Sequence, residues 1–375
     1  MADESDDPAT NPLQRRRKGP GGRRRAPRAR SKALVVTAWA AASVVLAGGI
    51  GLGYVYFKLN GNINGVDINA ALGTDRPDDV DNGSMDILVL GSDSREGANA
   101  EYGSAGQEGS RSDTAMVVHV YEGHKKASVV SIPRDTLVTR PACRTEAGTT
   151  DPGGPHQMFN ESYSVGGPAC AVKTVEKMSG IRMDHYLEVD FTGFKKLIDE
   201  LGGVEVTTEQ AISDPNSHLN LAAGTHRLDG EQSLGLVRTR HAVGDGGDLG
   251  RIQLQQAFIK ALLDQIKDVG VFSHPKKLYD LADTATKAVT TDSELDDPKS
   301  LIGFANSLKG IESNDMNMVT LPVTYDPADP NRVVPLVKQD KLLWAALRSD
   351  QRIPASVTKG SAGDKGGAGS VVSSR

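Results

Sequence analysis

Apolar positions along the chain change their spacing several times, and each change marks a different kind of segment. From Ala33 to Phe57 they form one uncharged run of 25 residues. A helix of that length reaches ~37 Å, enough to cross a ~30 Å hydrocarbon layer with tilt. Trp39 lies towards one end and Tyr54, Tyr56 and Phe57 at the other, where aromatic side chains meet membrane interfaces. The run exceeds the ~7–15 apolar residues of a cleavable signal peptide, so a transmembrane helix over 33–57 is expected. Residues 58–83 are rich in Asn, Gly and Asp and read as a stalk.

Short patterned runs begin at Asp86. Asp86–Gly91 is an apolar strand that stops at glycine. Ala115–Tyr121 and Ala127–Ile132 are β-branched strands joined through Glu122–Lys126. Tyr186–Val189, Val204–Thr207 and Met316–Leu321 complete the strands. Helices are expected over Pro168–Ser179, Asp229–Leu236, Arg251–Lys267 and Val334–Leu347. Another runs through Phe191, Phe194, Leu197, Ile198 and Leu201 and stops at Gly202-Gly203. Alternation of this kind predicts an α/β fold, a mixed central sheet with helices on both faces in three layers. The folded domain is expected over 84–348, and 349–375 reads as a disordered tail without packing material.

Charge refines the layout. Residues 1–32 hold ten basic and four acidic residues, which leaves 33 basic and 44 acidic residues beyond them. The cationic part is therefore a disordered tail abutting the span. By the positive-inside rule it stays in the cytoplasm and the domain lies outside. That orientation accounts for the arginines without nucleic acid. Cys143 and Cys170, the only two cysteines, cannot build a zinc ribbon. Outside the membrane they are expected to form a disulfide, with two separate buried thiols as the alternative.

The candidate chemistry lies in Arg and Asp at strand ends. No Gly-x-Ser-x-Gly, His-Glu-x-x-His or P-loop pattern occurs. Instead Asp93 and Arg95 follow the first strand, Arg111 and Asp113 precede the second, and Arg134-Asp135 follows the third. Arg238, Arg240, Asp248 and Arg251 flank a long helix, on which Arg251 and Gln255 share a face. Loops at one sheet edge converge on a crevice. Guanidinium forks there suit phosphate oxygens, and short carboxylates suit Mg²⁺. Each pair taken singly also reads as an ordinary surface salt bridge.

These residues carry a resemblance. DILVLGSDSR (86–95), RSDTAMVV (111–118), VSIPRDTLV (130–138), LDGEQSLGLVRTRH (228–241) and DLGRIQLQQ (248–256), in this order, look like the LytR-CpsA-Psr family. The region 159–194 and GGVEV (202–206) fit the same order, so the likeness spans about 86–267. It implies a membrane-anchored, Mg²⁺-dependent phosphotransferase. Such an enzyme moves a glycopolymer such as teichoic acid from an undecaprenyl-pyrophosphate carrier to a muramic-acid hydroxyl of peptidoglycan. Carried over motif by motif, Asp93 and Asp113 would bind the metal. Arg95, Arg111, Arg134, Arg238, Arg240, Arg251 and Gln255 would hold the pyrophosphate. Arg134, Asp248 and Arg251 would serve catalysis, Asp248 as base or as the residue orienting Arg251. The polyprenyl tail would need an apolar tunnel, expected between the sheet and the helices at 191–201 and 251–267. Two positions depart from the family pattern: Leu254 stands where Arg is common, and Met158 where Lys is common. The alternatives to the enzyme are a polyprenyl-phosphate-binding scaffold and, disfavoured by the span, a transcriptional regulator.

Overall fold

A seven-stranded mixed sheet organises the chain. In this computed structural model the described residues are 51–92, 112–145, 147–240, 247–270, 273–364 and 372–373. The chain separates into two units, Met1–Tyr54 and Val55–Arg375, and of the first only residues 51–54, which are helical, are described. The apolar run at 33–57 thus lies mostly outside the described residues. Among those described, no helix is long and apolar enough to cross a membrane.

The early strands are β1 (Asn64–Val66), β2 (Met85–Ser92), β3 (Ser112–Val120) and β4 (Ala127–Ile132). A small excursion follows, with β5 (Leu137–Arg140), β6 (Cys143–Arg144), β7 (Thr150–Asp151) and β8 (Gly154–Met158). Then come β9 (His185–Asp190), β10 (Val204–Thr208), β11 (Ile212–Asp214), β12 (Leu219–Leu221), β13 (Gly224–Leu228), β14 (Val289–Asp292) and β15 (Met316–Thr320). The central sheet runs β1-β14-β9-β2-β3-β4-β15. β2 is parallel to β9 and antiparallel to β3, which is antiparallel to β4, and β15 is parallel to β4. The C-terminal ends of β2, β4 and β9 and the N-terminal end of β3 therefore share one edge.

The helices are α1 (Ile68–Leu72), α2 (Phe159–Ser179), α3 (Phe191–Glu200) and α4 (Gly230–Arg238). After them come α5 (Asp248–Asp268), α6 (Pro275–Ala288), α7 (Pro298–Leu308) and α8 (Val337–Arg348). Side chains alternate across each strand, so Leu88 and Leu90 face one way and Ile87 and Val89 the other. On the first face Leu88, Leu90, Val117, Val130 and Tyr186 are sealed under Val172 and Val175 of α2 and Leu343 and Trp344 of α8. On the second, Ile87, Val89, Val118 and Leu187 meet Phe304 and Leu308 of α7, and several of these stay only half-buried. A separate cluster joins Ile198 of α3 and Leu254 and Phe258 of α5 to Val204, Val206, Ile212, Leu219 and Leu228. α3 and α5 thus bury their apolar faces against β10–β13. Half-buried apolar side chains also line the central sheet beneath α7.

α2 begins nine residues before the expected Pro168, because Gly166-Gly167-Pro168 marks a kink inside the helix and not its start. Gly167 adopts φ +60°, and a Cβ on Gly166 would lie 2.6 Å from Arg144 O. That closeness lets the β6–β7 hairpin lie against the helix, where Cys143 and Cys170 form a disulfide with Cα atoms 5.5 Å apart. α6, α7, β1 and β14 had no counterpart in the sequence reading. The chain after α8 is also not a loose tail up to Asp364. Ile353 and Val357 are buried, and Ser361 Oγ accepts from Val323 N at 3.1 Å.

Candidate active site

At the shared sheet edge, the turn after β4 carries Arg134 and the N-terminal turn of α5 carries Asp248 and Arg251. Asp248 occupies the first turn of a 21-residue helix, where a carboxylate complements the helix dipole. Its Oδ1 forms an ion pair with the buried Arg251 guanidinium, one turn on. Its Oδ2 accepts from Arg134 N at 3.4 Å, and Arg134 Nε stands 4.0 Å from Oδ1. Arg134 Nε also lies 3.5 Å from Asp135 Oδ2, and Arg332 Nη1 reaches Asp135 Oδ1 at 3.4 Å. Asp248 therefore joins Arg251 on its own helix to Arg134, 114 residues earlier in the chain.

The other side of the edge is built by β9 and α4. Asp190 caps α3 by accepting from Gly193 N at 2.8 Å, which sets Phe191 at the mouth of the edge. Arg238 ends α4 and lies over the Phe191 ring, 5.0 Å from its centroid. Arg240 lies two residues past the end of the helix, its backbone N held by Asp214 Oδ2 at 3.0 Å. Gln255 is buried one turn beyond Arg251. Its Nε2 donates to Thr114 Oγ1 and Val237 O, both at 3.0 Å, so this amide ties α5 to β3 and α4.

Asn160 opens α2 with its N–H on Arg134 O at 3.1 Å. It is 7% exposed, and among the described residues its Oδ1 has no hydrogen-bond partner. Sequence reasoning gave Asn160 and Arg332 no role: Asn160 lies before the helix expected from Pro168, and Arg332 is 197 positions from its partner. Asp93, Arg95 and Arg111 lie outside the described residues, as does the side chain of Asp113. The backbone still bears on them. Ser92, directly before Asp93, stands in register with Ser112, directly before Asp113.

The arrangement of the sheet, the kinked α2 and the arginine-bearing edge can be set against known proteins. The LytR_cpsA_psr family profile matches residues 55–344. The chain belongs to the LytR-CpsA-Psr family. It is 33% identical over 305 residues to the polyisoprenyl-teichoic acid–peptidoglycan teichoic acid transferase TagT of Bacillus subtilis, covering 78% of this chain and 86% of that one. It is 31% identical over 320 residues to the cell wall biosynthesis protein LcpA of Corynebacterium glutamicum, 77% of this chain but only 59% of LcpA. Among solved structures, a LytR-Csp2A-Psr enzyme from Actinomyces oris superposes with TM-score 0.56 at 24% identity, over 76% of this chain and 96% of that one. TagT bound to LI-WTA superposes with TM-score 0.54 at 25% identity, over 74% and 96%. Within the LytR-CpsA-Psr pattern, the departure at Leu254 has a structural reason. That side chain is fully buried among Phe258, Val206 and Leu236, where a guanidinium would find no water.

Proposed function

We propose that this protein transfers a glycopolymer from a polyprenyl-pyrophosphate carrier to a hydroxyl of peptidoglycan, releasing the polyprenyl phosphate. The observation that carries this reading is the convergence of Arg134, Arg238 and Arg251 on one sheet edge, with Asp248 joining two of them. Phosphoryl transfer asks mainly for positioning and charge neutralisation, and preformed guanidinium forks supply both. The relative TagT carries the same activity in its name.

The acceptor hydroxyl attacks the phosphorus joined to the glycopolymer. The P–O bond to the lipid phosphate breaks, the electron pair leaves with undecaprenyl phosphate, and the hydroxyl proton passes to solvent. Arg134 and Arg251 hold the phosphate oxygens, Arg238 and Arg240 close the far side, and Arg95 and Arg111 complete the cradle. Asp248, already engaged with Arg251, acts by orienting that fork. Asn160 Oδ1 is placed to accept a hydrogen bond from the substrate. Asp93 and Asp113 follow paired residues at neighbouring strand ends, and their hard oxygens fit Mg²⁺. Such an ion neutralises pyrophosphate charge when bound.

The half-buried apolar side chains between the sheet and α7 suit the polyprenyl tail. The span at 33–57 would anchor the domain on the outer face of the membrane. Directly after it, Lys58 Nζ bonds Tyr279 Oη at 2.9 Å and Asp283 at 3.1 Å, so the chain is seated on α6 as soon as the apolar run ends.

The test uses the full chain in nanodiscs with a lipid-linked glycopolymer, peptidoglycan and Mg²⁺. Undecaprenyl phosphate should appear in step with polymer attached to the wall. Binding of the lipid donor without either product would favour the scaffold reading.

A further inference from the structure

The outer edge of the sheet at β15 borders a cleft of about 600 Å³. Its walls are β15 itself, the α5 side bearing Gln253 and Gln256, and the C-terminal segment from Arg352 to Gly363. A hollow of about 370 Å³ shares Asn317 and Arg352 and continues it along β15 to Met316.

Three features define what this cleft suits. The first is the strand edge. Among the described residues, β15 pairs with β4 alone. An edge strand leaves alternate N–H and C=O groups unpaired, a template onto which an extended peptide adds. The second is charge. The larger cleft is lined by no acidic side chain and by one cation, the exposed Arg352, while the adjoining hollow adds Lys126, Asp315 and Asp350. The third is place. Thr320 stands in register with Ser131, three residues before Arg134. Gln256 Nε2 spans that step, 3.0 Å from Ser131 Oγ and 3.5 Å from Thr320 Oγ1. α5 thus presents Arg251 to the phosphate edge and Gln253 and Gln256 to a cleft that ends beside it.

We propose that this cleft binds an extended, carboxylate-bearing peptide: the peptide arm of the acceptor peptidoglycan. The inference rests on the transferase reading. The peptide pairs its backbone along β15 and places a carboxylate on Arg352, which brings the attached glycan hydroxyl towards Arg134. A glycan stripped of its peptide offers no backbone to pair along β15, and its lactyl carboxylates sit on the sugar itself instead of at the end of an extended arm.

Two measurements test it on the full chain in nanodiscs. The first is fluorescence anisotropy of a labelled stem pentapeptide with free carboxylates, read without turnover. Binding should saturate. It should weaken about tenfold in Arg352→Glu, weaken in the same direction in Arg352→Gln, and weaken when the peptide carboxylates are amidated. The second is transfer. Arg352→Glu should raise KM for peptide-bearing peptidoglycan about tenfold with kcat unchanged, and leave KM unchanged for glycan strands stripped of peptide. Probe binding indifferent to Arg352, or displaced equally well by peptide-free glycan, overturns the proposal. Arg352-dependent probe binding in a protein that turns over no donor upholds the cleft and sinks the transferase.

Discussion

The two ends of β2 and β3 make an instructive contrast. At the lower end Asp86 and His119 stand directly opposite across the strand pair. His119 is fully buried, with Nδ1 2.9 Å from Asp86 Oδ1 and Nε2 3.0 Å from Asp350 Oδ1. Asp86 N donates to Asp184 Oδ2 at 2.6 Å. Here a single cationic group is enclosed by acids from three segments, and its ring is spent on them. Burial alone would lower the His119 pKa, but the hydrogen bond and charge of Asp86, then those of Asp350, outweigh it and hold it above the ordinary value. At the upper end the proportions reverse, with Arg134, Arg251 and Arg332 sharing Asp248 and Asp135. Clustered charge in this fold therefore serves two ends. Where carboxylates enclose the cation the cluster staples the chain; where cations outnumber carboxylates the surplus charge suits the anion proposed for it.

Breaking the upper end should cost activity and little else. Asp113→Ala and Asp93→Ala should abolish Mg²⁺-dependent transfer while leaving the melting temperature in place. Unchanged Mg²⁺ dependence in both variants would remove their assignment. Arg134→Lys keeps the charge but loses the fork, and transfer should fall by about 10²–10³-fold. Full activity of the lysine variant would reduce Arg134 to a salt-bridge partner of Asp135 and Asp248.

Breaking the lower end should cost stability and spare chemistry. His119→Ala leaves Asp86 buried without its cation, a loss of about 3–5 kcal/mol for a broken buried pair. Transfer per folded molecule should stay at the wild-type level below the new melting temperature. A selective loss of turnover in a fully folded variant would contradict the staple reading.

The disulfide ranks close behind. It closes a loop with a sequence separation of 27. The chain-entropy model assigns about 3–4 kcal/mol to such a loop, before native strain is subtracted. Cys143→Ser should lower the melting temperature. An unchanged value would mean that Gly166 and the helix hold the hairpin without it.

The smallest effect is the pH dependence that sharpens the contrast. The folded pKa of His119 lies above its unfolded value, so its stabilisation is complete below about pH 6.5. It is lost as pH rises through the raised folded value. Denaturant midpoints should therefore decline as pH rises above about 6.5, and the decline should shrink in His119→Gln, the remainder belonging to His185, whose pKa is also raised. A wild-type midpoint flat over that range would show that His119 does not titrate with folding.

How much was legible beforehand differs by region in the same way. The apolar strand cores of β2, β3 and β4, and the stop of α3 at Gly202-Gly203, are local patterns of period and punctuation, and they appear where the periodicity places them. Arg134, Asp248 and Arg251 were legible as arginine and aspartate beside strand and helix ends. Their meeting was not, since Asp248 reaches Arg134 only because α5 enters over the end of β4. The enclosure of His119 by Asp350 was invisible for the same reason, with 231 positions between them.

By itself the sequence determined the alternation of strands and helices, the uncharged run at 33–57, the surplus of arginine at loop positions and the family. The first three follow from composition or from spacing within a few residues, where backbone geometry alone dictates which side chains share a face, and the family from the resemblance of its ordered motifs. Only the tertiary structure decided which arginines share a carboxylate, that Leu254 is core and that the chain after Gln351 packs as a wall beside β15. Those outcomes depend on contacts between residues far apart in the chain, and burial, unlike periodicity, belongs to the whole fold and not to any one segment.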